Sequence, residues 1–160
     1  WLWTGFVSHF STGAVITLNP IPDDGMRIKI GEEGPEVEAV PAHYCHSSGN
    51  FSLYDPVAGI LFSGDIGGAL VPDHHASLVV TDFEQHIQYM RGFHLRWMPS
   101  TTALRGWVQR VRAIKPKMIC PQHGSIFEGE NVGKLLDWLE SLEVGQWKGA
   151  TPKTETRAAA

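Results

Sequence analysis

Three short stretches each place a metal-capable side chain in a loop directly after an expected strand. Residues 41–50 (PAHYCHSSGN) carry His43 and His46, residues 61–67 (LFSGDIG) carry Asp65, and residues 120–124 (CPQHG) carry His123. Strand-end loops are where a rigid sheet can make side chains from distant parts of a chain converge. A small residue beside each candidate (Ser47, Gly64, Gly124) lets the backbone turn sharply and leaves room for an ion. Two imidazoles and a carboxylate suit zinc, iron or manganese better than calcium or copper(I). Taken singly, each has a plainer reading. A loop histidine is commonly a surface residue, and Asp65 after Gly64 fits a turn or a helix cap. No HxxEH-type signature is present, so spacing alone does not decide between these readings. Cys45 and Cys120 sit next to candidate ligands but read as small buried hydrophobes. There is no Ser-His-Asp order, and Gly64-Asp65-Ile66-Gly67-Gly68 lacks the pattern of a phosphate loop.

The elements that must position these loops follow from periodicity. Residues 13–18 are a β-branched run stopped by Asn19-Pro20. Met26–Ile30 and the alternating Glu36–Val40 predict two strands. Phe51–Tyr54 and Ile60–Phe62, separated by Asp55-Pro56-Val57-Ala58-Gly59, predict a hairpin. The period then changes. Phe83, Ile87, Met90 and His94 share one helical face, with His86 off that stripe and expected in solvent. Leu104, Trp107, Val108 and Val111 define a second helix, opened by Ser100-Thr101 and closed before Pro116. Lys117–Cys120 predicts a short buried strand. Asn131 is expected to cap a last helix through Leu135, Leu136, Leu139 and Leu142. Strands first, helices later and a strand between helices imply an α/β layered architecture. Residues 1–147 read as one domain, and 148–160 as a tail or interdomain linker.

The 160 residues suffice for one hydrophobic core, and 42% apolar with 19% charged residues is ordinary globular composition. A net charge of −4 without a basic block argues against nucleic acid and anionic membranes as partners. No run approaches a membrane span, and the first twenty residues lack the form of a secretory signal. Two cysteines cannot build a disulfide framework, which predicts a reducing, cytoplasmic compartment.

His46-Ser-Ser-Gly-Asn50, Leu61-Phe62-Ser63-Gly64-Asp65 and Gln122-His123-Gly124 resemble, in order, the last three ligand motifs of the metallo-β-lactamase superfamily. Eighteen residues lie between His46 and Asp65, as in flavodiiron proteins, and the 57 between Asp65 and His123 resemble their helical excursion. Phe93-His94-Leu95-Arg96-Trp97-Met98 also resembles the oxygen-binding diiron branch. The resemblance runs from about residue 1 to 145. It implies the C-terminal part of an αββα four-layer sandwich, incomplete in this chain. It further implies two iron ions: His46 on the first, Asp65 bridging both and His123 on the second. The bridging carboxylate would offset part of the repulsion between two dications.

The family's upstream His-x-Glu-x-Asp-His motif is absent. Neither His9 nor Asp23-Asp24 supplies it, so the missing donors are expected N-terminal to Trp1. The Gly49-Asn50 that follows His46 favours it over His43 as the ligand, leaving His43 and Asn50 as pocket residues. His94, on the apolar stripe, is expected to be packed or hydrogen-bonded behind the ligands, with direct contact to metal or substrate as the alternative. His74-His75 read as surface residues, and Trp97 beside Arg96 as a pocket wall.

The implied function is binding, sensing or reduction of dioxygen or nitric oxide. Electrons would come from a redox partner or from an FMN on a separate domain or protein; a homodimer is left open. The alternatives are a dizinc hydrolase of the glyoxalase II or lactonase kind, and a degenerate or regulatory domain that keeps the fold and binds a partner.

Overall fold

The structure is a computed structural model and describes residues 2–4 and 18–146. The expected strand at 13–18 (all but Leu18), His9 and the tail at 148–160 lie outside the described residues. A short parallel pair, β1 (Leu2–Trp3) with β2 (Pro20–Ile21), precedes a six-stranded sheet. The sheet comprises β3 (Met26–Lys29), β4 (Glu36–Pro41), β5 (Phe51–Asp55), β6 (Ile60–Gly64), β7 (Met118–Pro121) and β8 (Phe127–Glu128), in that spatial order. All neighbours are antiparallel except β6 and β7, which run parallel and are joined through α1 (Phe83–Trp97) and α2 (Thr101–Ile114). A third helix, α3 (Glu130–Ser141), closes the fold.

Within the described residues the predicted strands, hairpin and helices fall where periodicity put them, and the chemistry at their ends explains why. Asp82 accepts from the Gln85 N–H (3.0 Å) to open α1, and Ser100 accepts from Ala103 (3.2 Å) to open α2. Lys115, left-handed at φ 52°, ends α2 just before Pro116. Buried side chains of all three helices join Val40, Tyr54, Leu61, Ile119 and Phe127 in one core. Trp107 lies at its centre, its indole N–H donating to the buried Ser52 hydroxyl at 2.9 Å. Strand alternation sends Leu53 and its cross-strand partner Phe62 to the opposite, exposed face. This sheet with helices on one face is the α/β layered class expected.

Two expectations need correction. His86 is buried, 6% exposed, with its ring edge-on to Phe127 at 5.5 Å and to Tyr89. Three residues after Phe83 and four before Met90, it falls at the edge of the buried face of α1, where Phe127 of β8 packs against it. Two residues were too short a run for periodicity to reveal β8. Asn131 does not cap the last helix. Gly129, at φ 56°, turns directly out of β8 and takes the cap position, and the Asn131 amide instead donates to the Val80 carbonyl at 2.7 Å.

Candidate metal centre

Strand direction gathers the candidates. Because β4, β6 and β7 run the same way, the β4–β5 loop with His46 and the segments after β6 and β7 all leave one end of the sheet. Such carboxyl ends of parallel strands are the usual ligand edge of α/β sheets. The β6–β7 ladder shifts register between Phe62 and Gly64, so Gly64 lies opposite Pro121. Asp65 therefore follows the last paired residue by one position and His123 by two, both in adjacent loops. A bulge at this point re-aims the next side chain. Gly64 O accepts from the Gln122 N–H at 2.7 Å, locking the two loops together. The third loop reaches the same glycine: Asn50 Oδ1 is 4.0 Å from where a Gly64 Cβ would stand, while the Asn50 amide donates to the Cys45 carbonyl at 2.6 Å. Asn50 thus braces the turn that carries His46.

At this junction Asp65 Oδ1 and His123 Nε2 stand 3.6 Å apart, too far for a good hydrogen bond. The Asp65 side chain is about one-quarter exposed and that of His123 about half. Two donors bound to one first-row ion at about 2.1 Å each stand roughly 3–3.5 Å apart. The observed gap is close to that, and a carboxylate with an imidazole is a fitting donor pair for iron or zinc. His46 occupies the left-handed region at φ 86°, where a residue with a Cβ sits only when its surroundings hold it. Its ring stacks on Trp97, with centroids 5.5 Å apart and planes at 25°. Among the described residues, no group of three or more His, Cys, Asp or Glu side chains closes into a set able to hold an ion. The structure therefore unites Asp65 with His123 and places His46 on the neighbouring loop against Trp97.

His94 is fully buried with both ring nitrogens engaged. The Gly67 N–H donates to Nε2 at 3.0 Å, which leaves Nδ1 as the protonated nitrogen donating to the Met90 carbonyl at 2.9 Å. This neutral imidazole has no lone pair left for a metal. Its bond to Gly67 holds the Asp65–Gly68 turn. Burial lowers its pKa to about 4, against a smaller upward pull from the Met90 bond and the Asp65 charge. His43 faces elsewhere: its Nε2 lies 2.9 Å from the Asp23 carbonyl and its ring meets Trp3 and Phe51. His74 and His75 form an exposed 3₁₀ turn, as expected. Cys45 is wholly buried, which pushes its thiol up to about 12, and it is inert as a ligand. The stacking of Trp97 on His46 and the reach of His94 to Gly67 were not derivable from spacing.

Gly124 fixes the His123 loop. At φ 94° its added Cβ would stand 2.9 Å from the Ala69 Cβ and 3.1 Å from the Ala69 nitrogen, which itself donates to the His123 carbonyl. Gly124→Ala should cost about 1–3 kcal/mol through strain and displacement of that contact. Urea unfolding of the metal-free protein measures it, and an unchanged midpoint would show that the loop does not depend on this close approach.

A six-stranded mixed sheet with helices on one face and three loops gathered at one edge defines the class, a partial metallo-β-lactamase fold. A model of the ODP family of beta-lactamases matches residues 1–124, so the chain belongs to that family. The apo chemotaxis sensor ODP from T. denticola is 41% identical with a TM-score of 0.82; the match covers 90% of this chain and 59% of that one. A structure described as a peroxy diiron species of chemotaxis sensor ODP is 40% identical, with a TM-score of 0.79 and the same coverage. Rubredoxin oxygen:oxidoreductase from Desulfovibrio gigas shares the fold at 17% identity and a TM-score of 0.71, over 87% of this chain and 36% of that one. The chain thus spans 59% of the length of the sensor chains it matches. No curated protein matches it. Among the described residues no helix is long and apolar enough to cross a membrane.

Proposed function

We propose that this chain supplies part of a non-haem diiron centre that binds dioxygen or nitric oxide, and that it senses these molecules rather than turning them over. The observation that carries the reading is the 3.6 Å approach of Asp65 to His123 at the junction of three strand-end loops. The 41% identity to a chemotaxis sensor favours sensing over reduction. In this reading His46, Asp65 and His123 would hold the iron ions, Asp65 supplying the negative charge among them. When bound, the metal pair supplies open positions and electrons for a diatomic ligand.

The protein's own contributions are positional. Asp65 brings a negative charge to the cations. His94, neutral and doubly hydrogen-bonded, keeps the Asp65 turn in place without competing for metal. Three donors are too few for two tightly held ions, so the reading requires further donors and belongs to the native protein as a whole. Any reduction would draw electrons from a flavin or redox partner elsewhere. A cytoplasmic location is part of the same reading, supported by the free thiols of Cys45 and Cys120.

Metal analysis and an absorption spectrum of the native protein, purified without oxygen, test the proposal. About two irons per protein and a new visible band on adding oxygen are expected. Stoichiometric zinc with esterase activity and no iron would replace this reading with the dizinc hydrolase.

A further inference from the structure

Trp97 is the last residue of α1, and at 53% exposure it is among the large apolar side chains that packing does not account for. Among the described residues its one ring contact is the stack on His46. Three residues earlier on the same helix, His94 reaches into the fold and takes the Gly67 N–H. Residues three apart lie on neighbouring parts of one helix face. The final turn of α1 therefore grips two of the three candidate ligand loops, one through a buried hydrogen bond and one through an aromatic stack.

We infer that Trp97 is a positioning residue for His46, fixing the plane of its imidazole so that a ring nitrogen is presented to the metal. The inference rests on the proposed function for His46 as a ligand. The lone pairs of an imidazole lie in the ring plane, so an indole on its face leaves both nitrogens open to a metal while restricting the ring's rotation. Restriction is needed at this site. His46 sits at φ 86° in a turn held by the Tyr44 N–H bond to Ser47 O, the Cys45 N–H bond to Ala42 O and the Asn50 bond to Cys45 O. These bonds fix the backbone at 44–47. Among the described residues no protein hydrogen bond holds the His46 ring itself, and the stack is what fixes its orientation. A ligand ring usually needs a partner of this kind, and here the partner is an aromatic face in place of an acceptor for its second N–H.

The test compares Trp97→Leu and Trp97→Phe in the native protein, with His46→Ala as the reference. Both substitutions are at an exposed position, so the fold is not at risk. In the metal-free protein the His46 ring protons, read by NMR, should lose their ring-current shift in Trp97→Leu and keep much of it in Trp97→Phe. Cobalt(II) titration should then show about fivefold weaker binding in Trp97→Leu, the loss of a stack worth roughly 1 kcal/mol, and near-native binding in Trp97→Phe. Unmoved ring protons, or cobalt affinity in Trp97→Leu equal to or tighter than native, would overturn the inference. If His46→Ala binds cobalt as tightly as the native protein, His46 is not a ligand, and both the inference and its part of the diiron reading fall. Weaker binding in His46→Ala with native binding in Trp97→Leu would overturn the inference alone.

Discussion

Asp65→Asn should remove most of the metal from the native protein while leaving its metal-free stability almost unchanged. The two halves of that expectation come from different facts. Asparagine has nearly the size of aspartate, and among the described residues the Asp65 carboxylate makes no hydrogen bond; its near neighbour is His123 at 3.6 Å. The backbone bond of this turn, Gly68 N–H to Asp65 O, is indifferent to the side chain. An isosteric change at a partly exposed side chain that breaks no contact should stay within about 1 kcal/mol. The metal sees something else. Asp65 carries the one negative charge among the three candidate donors, and an amide oxygen would replace it with a neutral, weaker ligand. Altering groups that merely support a ligand costs about 10–100-fold in affinity, so loss of the charged ligand should exceed about 100-fold. Thermal unfolding with and without added iron separates the effects, since a ligand that binds only the native state raises its stability. The native protein should gain stability with iron and Asp65→Asn should not. Equal gains in both would remove Asp65 from the site, and with it the reading that rests on the Asp65–His123 approach.

How far such a site can be seen in advance depends on which interactions define it. The hairpin of β5 and β6, the alternation in β4 and the capped helices α1 and α2 were legible because each rests on local periodicity and nearby turn or cap residues. The order of the ligand motifs was legible by resemblance. What brings them together was not. Asp65 meets His123 because β6 and β7 pair in parallel with a register shift at Ser63, a long-range property with no local signature. The burial of His86 depends on β8, two residues long and paired to β7 rather than to anything adjacent to α1 in sequence. His94 could be placed on the buried stripe, but its hydrogen bond to Gly67 spans 27 residues. Candidate residues belong to local sequence in this chain, whereas their mutual geometry belongs to the sheet.

His94 gives the second large expectation, an acid-sensitive fold whose sensitivity resides largely in one residue. Folding removes this imidazole from water, with Gly67 donating to Nε2 and Nδ1 donating to Met90, and lowers its pKa from 6.5 to about 4. The sign follows from proton counts. Above pH 6.5 the ring is neutral in both states and adds no pH dependence. Between 6.5 and about 4 the unfolded chain takes up a proton that the folded one refuses, so stability falls with pH. Below about 4 both states are protonated and this contribution levels off. A fall from 6.5 to about 4 corresponds to a loss of about 3 kcal/mol, a substantial fraction of a domain's usual margin. Burial shifts His86 in the same direction and adds to the slope. Urea midpoints of metal-free protein at about pH 7 and pH 4.5 measure the loss. In His94→Gln, whose amide can still donate to Met90 and accept from Gly67 but does not titrate, most of the difference between the two pH values should vanish, even though the variant starts from a lower midpoint at neutral pH. A native protein equally stable at both pH values, or a glutamine variant that keeps the full acid loss, would show that the buried imidazole is not what makes the fold acid-sensitive. Protonation would break the Gly67 bond and release the Asp65 turn, so the same residue that braces the candidate centre sets the lower pH limit at which that centre can exist.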